Sequence, residues 1–336
     1  MLQSKSLLLV LLLLRGGCEA FAVASQIHRP LTTLQTTWKP PRQTSSTALA
    51  LGPELVATVS LPSLSSVALA CLTPSLLGFY KSEYGVSYAY GGAISATAWM
   101  VLQRVPMTSI AGVHALALFA YGIRLNLFLL YRELKIPVFR EFRERIEDRA
   151  RNKGSRIART PFVVGVAFLY ACMAAPVFVT MQTASSLTPM ALSFWSLDGG
   201  WKLNTARVLV GMTWTGFAVG ALGDTTKTAV KAGKGADHLV VEGVFRFLRH
   251  PNYTGEFLGW TASALAAVVL GGVSWLSLAS VVGALGIDFV LIQAGTALER
   301  KQFEKYGASE SYQQWMRRSW AGVTKKRVQP IIDFEI

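Results

Sequence analysis

Apolar runs and charged connections alternate along most of the chain. Each apolar run is close to the length of about 20 residues that a helix needs to cross a hydrocarbon core of about 30 Å. The predicted spans are Leu61–Tyr80, Tyr84–Leu102, Met107–Tyr131, Pro161–Met181, Ala206–Gly223, Gly255–Leu270 and Val273–Gln293. The pattern therefore predicts an all-α fold, a polytopic membrane helix bundle of about seven transmembrane helices.

Two further segments are too short or too charged to cross a membrane. Ala191–Trp201 is rich in aromatic residues and glycine and contains Asp198-Gly-Gly, which favours an interfacial or re-entrant segment. Glu133–Arg159 places apolar residues at helical spacing among many charges, which predicts an amphipathic surface helix or a solvated charged connector. These apolar residues are Leu134, Val138, Phe139, Phe142 and Ile146.

Composition agrees with lipid as the solvent of this chain. Hydrophobic residues make up 51%, charged residues only 15%, and the mean hydropathy is +0.37. The net charge of +14 does not predict nucleic-acid binding, because the basic residues flank the apolar runs and form no separate nucleic-acid-reading motif. With seven spans the three basic segments, Arg132–Arg159, Lys227–Arg249 and Arg300–Arg327, fall on one side of the bilayer.

The N-terminal residues read as targeting segments. Residues 1–20 carry Lys5, an apolar core over Leu7–Leu14 and small residues before Phe21, as a signal peptide does. Residues 21–53 lack Asp and Glu and contain many Ser and Thr, like an organellar transit peptide. The pair resembles the bipartite presequence of algae with complex plastids, which implies a plastid membrane. The alternative is a secretory signal followed by a linker, with the endoplasmic reticulum as the destination. The membrane-embedded domain is then 54–330.

Candidate chemistry concentrates between Gly223 and Trp260. Pro251 disfavours helical geometry at His250, so a helix should start near Asn252, a residue type favoured at the N-cap. Arg246, Arg249 and His250 ahead of that positive helix end suit an anionic group such as a pyrophosphate or a carboxylate.

Glu256 follows one turn into the membrane, where a carboxylate is costly unless it is paired or bound to a ligand. It is therefore a functional candidate, and the alternative is that it closes the helix end by pairing with Arg249 or Arg246. Cys71 and Cys172 lie inside apolar runs, so we expect neither a disulfide framework nor a metal site.

The segment Phe247-Leu-Arg-His-Pro-Asn-Tyr-Thr-Gly-Glu256 with Trp260 resembles the steroid 5-alpha-reductase C-terminal-like family, in its uncharacterised membrane branch. The resemblance runs from about Gly85 to Trp320 and extends, distantly, to isoprenylcysteine carboxyl methyltransferases. Its other elements are Gly122-Ile-Arg124-Leu, Leu129-Leu-Tyr-Arg132, Asp224-Thr-Thr-Lys227, Leu298-Glu-Arg-Lys, Tyr306-Gly and Tyr312-Gln-Gln-Trp315. Thr226 departs from the family, which has Gln before the lysine.

The resemblance implies a cofactor pocket on the basic side and a lipid-accessible cavity for an apolar substrate. In the reductases NADPH delivers hydride to a polarised carbon–carbon double bond; in the methyltransferase relatives S-adenosylmethionine occupies the corresponding pocket, with Glu299, Arg300 and Tyr312 closing over it. The implied catalytic residues are Glu256, Tyr253 and His250. The implied cofactor-binding residues are Arg124, Asp224, Lys227, Arg246, Arg249, Asn252, Glu299 and Arg300.

Physical reasoning adds two expectations. Arg124 lies inside a predicted span, where a guanidinium costs about 2.5–3.5 kcal/mol, so a partner or a cavity must compensate it. A reductase also needs a proton donor, for which Tyr88, Tyr90 and His114 are candidates; the alternatives are interfacial aromatic residues for the two tyrosines and a satisfied hydrogen bond for His114. The resulting prediction is an NADPH-dependent reductase of an apolar lipid or isoprenoid, with a methyltransferase or a non-catalytic membrane protein as alternatives.

Overall fold

The computed structural model describes residues 60–152, 154–184 and 193–324, which all belong to one compact unit of the chain. The predicted signal peptide at 1–20 and transit segment at 21–53 lie outside the described residues. The described part is helical and contains no β-strand beyond two isolated bridges. The all-α prediction is therefore confirmed.

Ten α-helices occur in the described residues. They are α1 (Leu64–Ser75), α2 (Leu77–Tyr80), α3 (Tyr88–Leu102), α4 (Ile110–Lys135), α5 (Pro137–Arg151), α6 (Thr160–Ala184), α7 (Gly200–Lys234), α8 (Pro251–Gly271), α9 (Trp275–Tyr306) and α10 (Glu310–Arg318). Short 3₁₀ turns at Ser82–Gly85, Ile157–Arg159 and Gly243–Arg246 connect some of them.

Five of these helices, α4 and α6 to α9, are long and apolar enough to cross a membrane. The protein is accordingly an all-α integral membrane bundle. The first two predicted spans form shorter helices: α1 and α2 together cover the apolar stretch Leu64–Tyr80, and α3 has 15 residues. The spans α4, α7 and α9 end at the three basic segments, whereas α6 and α8 begin after them. The alternation puts these segments at one end of the bundle, which we call the basic face.

Glycines allow α7 and α8 to pack with their backbones in close approach. A β-carbon placed on Gly255 would lie 2.4 Å from the Gly220 nitrogen, and one on Gly216 would lie 2.5 Å from the Gly259 nitrogen. Both distances are shorter than van der Waals contact. The small residues at four-residue spacing in each helix are therefore a packing requirement, and they bring the polar residues of α7 and α8 together.

His114 connects three helices deep in the bundle. Its Nδ1 lies 3.3 Å from the Thr180 hydroxyl on α6, and its Nε2 lies 2.8 Å from the Ser263 hydroxyl on α8. Both ring nitrogens have partners, as a buried imidazole requires. This confirms the interpretation of His114 as a satisfied intramembrane hydrogen-bonding residue.

The segment at 133–159 forms the predicted helix, α5, although the side chains of Val138 and Phe142 lie outside the described residues. Ion pairs fasten it to the bundle: the buried Arg143 contacts Glu83 at 3.0 Å and also pairs with Glu133. The helix is thus an integral part of the fold and not a solvated connector.

Two local predictions need correction. The Asp224–Lys227 segment, expected in the loop region before α8, is helical because α7 continues to Lys234. The following span begins at Pro251, with His250 and not Asn252 in the N-cap position, because proline is well suited to the first helical residue.

Of the predicted interfacial segment Ala191–Trp201, residues 193–199 are not helical, and the Phe194 nitrogen donates to the Thr108 carbonyl at 2.9 Å.

Candidate functional site

Arg124 and Asp224 form the first part of a polar cluster between α4 and α7. The guanidinium contacts the carboxylate at 2.9 Å and donates to the Ala221 carbonyl at 3.2 Å. The pair is mostly buried, with exposed side-chain fractions of 26% and 13%. The intramembrane Arg124 on α4 therefore has the partner that its burial requires, a carboxylate on the neighbouring helix α7.

Glu256 brings α8 into the same cluster. Its carboxylate interacts with the Tyr121 hydroxyl of α4 and lies close enough to Asp224 for the two negative charges to repel. It forms no ion pair within the described part of the chain, so the alternative in which it pairs with Arg249 or Arg246 is wrong. The close approach of α7 explains its position, since a β-carbon on Gly220 would lie 3.6 Å from Glu256 Cγ.

Aromatic side chains surround the inner end of this cluster. The Tyr121 hydroxyl donates to the Tyr90 hydroxyl at 2.9 Å, and the Tyr121 ring stacks on Phe217 at 4.3 Å between centroids. Trp260 packs edge-on against both Tyr121 and Phe217. Tyr90 is buried, so its interpretation as an interfacial aromatic residue is wrong. Tyr121 was not predicted from the sequence, although its position three residues before Arg124 puts both on one face of α4.

Arg249, His250 and Glu299 form a separate, closed group, which we call the C-terminal latch. The Glu299 carboxylate accepts from Arg249 at 2.6 Å and contacts His250 Nε2 at 3.0 Å, and all three side chains are buried. The backbone beside them pairs with the chain end, because Arg249 N donates to the Trp320 carbonyl at 3.0 Å. The latch thus joins the start of α8, the end of α9 and the residues after α10.

The remaining predicted residues divide between two environments. Arg246 and Arg300 are exposed, and the ion pair of Arg300 within the described residues is with Glu304, at 3.7 Å, so neither joins the polar cluster. Lys227 lies near Asp224 on the next turn of α7. Asn252 and Tyr253, on the first turn of α8, are partly exposed. The Tyr253 hydroxyl is near enough to Asp224 and Arg132 to interact electrostatically with both.

The tail residue Tyr312 packs against the rings of Tyr306 and Trp315. Its side chain is buried, and burial raises the pKa of this phenol to about 12. Its hydroxyl has no hydrogen-bond partner among the described residues. Separately, the described residues contain no group of three or more His, Cys, Asp or Glu side chains that could hold a metal ion. Tyr312 is therefore neutral at physiological pH and acts there as a packing residue.

The arrangement places charged groups at one end and phenols and apolar rings at the other. The cluster of Arg124, Asp224 and Glu256 offers two carboxylates and a guanidinium to amide, hydroxyl or phosphate groups. Phenol donors and apolar rings lie further in. We call this region, from Lys227 through Arg124, Asp224 and Glu256 to Tyr121, the intramembrane polar site.

Comparison with known proteins gives one family match. The model of the family described as "Protein of unknown function (DUF1295)" matches residues 79–319. Neither the comparison with curated proteins nor that with solved structures gave a match. The matched region includes α3 to α10 and therefore both the intramembrane polar site and the latch. Because it covers well over half of the chain, this protein belongs to the DUF1295 family.

Proposed function

We propose that this protein is a membrane-bound reductase that uses NADPH to reduce a carbon–carbon double bond in an apolar lipid or isoprenoid. The observation that carries the proposal is the intramembrane polar site itself. Ionisable side chains within spans are costly and are retained where they serve a ligand, a pathway or each other. Arg124 pairs in contact with Asp224 and attracts Glu256 only at longer range, which leaves the Glu256 carboxylate available to a ligand.

The donor and acceptor set fits the polar end of a dinucleotide. Glu256 and Asp224 can accept hydrogen bonds from a carboxamide and from ribose hydroxyls, and Lys227, towards the basic face, can neutralise a phosphate. Bound there, the cofactor would supply a hydride. The three helices that carry these groups hold them at fixed relative positions, as a positioning site requires.

The aromatic inner end of the site suits the second reactant. When a hydride adds to one carbon of a polarised double bond, the electron pair moves to the other end and must take up a proton. The Tyr121 hydroxyl, which lies between Glu256 and Tyr90, is the donor in position to supply it. The buried Phe217 and Trp260 rings keep water away, which strengthens the interaction of the proton donor with the charge that develops on the substrate.

Two further arguments favour reduction over methyl transfer. The resemblance of Phe247–Glu256 to the steroid 5-alpha-reductase C-terminal-like family brings in NADPH as the cofactor. Methyl transfer would need Glu299 to face the sulfonium, but this carboxylate already holds Arg249 and His250. Steroid is not proposed as the substrate, since the N-terminal helices carry no element that resembles a steroid-binding one.

The proposal is tested by following the transferred hydrogen. The protein in lipid nanodiscs is incubated with a mixed isoprenoid and lipid extract and with NADPH deuterated at the hydride position. We expect a lipid product that carries one deuterium, formed by the wild-type protein and lost in Glu256→Gln. Glu304→Gln, an exposed carboxylate on the basic face, is the matched control and should retain the transfer.

Two results would contradict the proposal. One is deuterium incorporation that survives in Glu256→Gln, because the intramembrane polar site would then not hold the cofactor. The other is labelling of lipid by methyl-deuterated S-adenosylmethionine in place of NADPH, which would establish methyl transfer.

We further propose that the bundle resides in a plastid membrane, on the basis of the two consecutive targeting patterns at 1–20 and 21–53. Residues 1–53 fused to a fluorescent protein should direct it to the plastid in an alga with complex plastids. Retention of the fusion in the endoplasmic reticulum would refute this localisation.

A further inference from the structure

A cleft of about 170 Å³ opens on the basic face, beyond the outer end of the intramembrane polar site. It lies between the last turns of α7 and α9 and the connection that leads from α7 to α8. Its basic lining residues are Lys227, Lys231, His238, Lys301 and Lys305. We call it the lysine cleft. Only Lys227 among these residues was singled out from the sequence; Lys231 lies one turn further along α7, and His238, Lys301 and Lys305 lie on other segments.

The lysine cleft carries an excess of positive charge. None of its lining residues is acidic. Lys305 pairs with Asp237, and Lys231 donates to the Ala236 carbonyl at 2.5 Å. Lys227 and Lys301 form no ion pair with any described residue. Lys227 lies near Asp224 without forming an ion pair, and His238 lies 3.9 Å from Glu242. Among the four lysines only Lys305 is paired with a described carboxylate, which leaves an excess of positive charge that an anionic ligand would neutralise.

The wall of the cleft is a built structure and not an accidental gap between side chains. Besides the Lys305–Asp237 pair, the Tyr306 hydroxyl donates to the Asp237 carbonyl at 2.8 Å, and Lys234 pairs with Glu242 further along the same connection. These contacts fix the connection against the ends of α7 and α9.

Apolar side chains form the floor of the cleft, and two of them, Val240 and Phe245, are buried. An apolar floor lowers the local dielectric constant and strengthens the attraction between the lysines and an anion. The volume exceeds that of several water molecules, each of which occupies about 30 Å³ in the liquid. It is therefore sufficient for one or two phosphate groups.

We propose that the lysine cleft binds a multiply charged phosphate group, either a phosphomonoester or a diphosphate. Lysine ammonium groups act as point charges and suit such a group better than they suit a single carboxylate, whose one charge would leave most of the lysines unneutralised. The group can belong to a soluble nucleotide or to a phospholipid headgroup at the membrane surface. NADPH as its source rests on the proposed function, whereas the phosphate site does not.

The test measures pyrophosphate binding by isothermal titration calorimetry, with the full chain in phosphatidylcholine nanodiscs and sodium chloride holding the ionic strength constant. We expect Lys301→Gln to weaken binding about tenfold, which corresponds to about 1.4 kcal/mol. Lys301 is exposed, so its loss should not affect folding, which an unchanged melting temperature would verify. Arg317→Gln is the matched control, since it removes one exposed charge from the same face outside the cleft.

The proposal is overturned if the wild-type protein does not bind pyrophosphate, or if Arg317→Gln weakens binding as much as Lys301→Gln does. In the second case the attraction would belong to the whole basic face. Competition then identifies the source of the phosphate: displacement of pyrophosphate by 2′,5′-ADP supports a nucleotide, and displacement by phosphatidic acid in the nanodisc supports a lipid.

The same measurements separate this proposal from the proposed function. Pyrophosphate binding that depends on Lys301, together with a failure of NADPH to bind, would leave the phosphate site standing and refute the reductase. NADPH binding without any pyrophosphate binding would refute the phosphate site and leave the reductase proposal standing.

Discussion

Replacing Glu299 by glutamine tests a deeply buried charge group, the C-terminal latch. The substitution keeps the shape of the side chain but removes the negative charge that holds Arg249 at 2.6 Å and His250 at 3.0 Å. The Arg249 and Glu299 side chains are each only 2% exposed, so solvent cannot replace the lost carboxylate. Breaking a buried pair by removing one partner costs about 3–5 kcal/mol. We expect a value near 3 kcal/mol, because the glutamine oxygen can still accept one hydrogen bond.

The assay is equilibrium unfolding in mixed detergent micelles, followed by tryptophan fluorescence. Glu304→Gln is the matched control on the same helix: its carboxylate is 65% exposed and lies 3.7 Å from Arg300, and exposed pairs contribute at most about 1 kcal/mol. The double variant Arg249→Met with Glu299→Gln should recover part of the loss, because removing both partners leaves no buried charge. Equal losses for Glu299→Gln and Glu304→Gln, or a double variant less stable than Glu299→Gln alone, would refute the reasoning.

Two further predictions use the same unfolding assay. Gly255→Val should destabilise the protein by about 1–3 kcal/mol, because even its β-carbon would lie 2.4 Å from the Gly220 nitrogen. Gly211→Ala is the control, and it should cause no loss of stability because the space around Gly211 is open. Equal effects of the two substitutions would show that α7 and α8 do not pack closely. Burial raises the pKa of Glu147, but hydrogen bonds from Arg159 and the Ser82 nitrogen outweigh it and lower the pKa below its ordinary value. The stabilisation is therefore complete above about pH 4.3, the pKa in the unfolded chain, and is lost as the pH falls through the folded pKa. Glu147→Gln should flatten the decline in stability below pH 4.3, and an unchanged decline would contradict this assignment.

The helical membrane fold could be predicted from the sequence because long apolar runs determine it locally. The charge distribution also predicted correctly that the basic segments share one end of the bundle, since α4, α7 and α9 all end there. The two shorter N-terminal helices were less predictable. Apolar composition at Leu61–Tyr80 indicates burial in lipid or protein, but it does not tell a full span from two consecutive helices that break at Leu76.

The candidate site was predictable only residue by residue. A lone arginine within a span required a partner, and Arg124 has one, but nothing local identified Asp224 as that partner across 100 residues. Arg249 was expected to face an anionic group, and the structure shows that this group is the Glu299 carboxylate of α9. A strand-like pairing of Phe247–Arg249 with Trp320 brings the chain end over it. Tyr121 and the lysine cleft likewise depend on which faces of distant helices meet. Such contacts follow from tertiary packing and not from local spacing.

The central claim, that the intramembrane polar site holds NADPH, is tested most directly by ligand-induced stabilisation. The protein in detergent is unfolded with and without NADPH or S-adenosylmethionine at about 100 times the dissociation constant, where a bound ligand adds about 2.7 kcal/mol. We expect stabilisation by NADPH that is lost in Glu256→Gln and in Asp224→Asn and retained in Glu304→Gln. Stabilisation by S-adenosylmethionine alone, or NADPH stabilisation that persists in Glu256→Gln, would contradict the account.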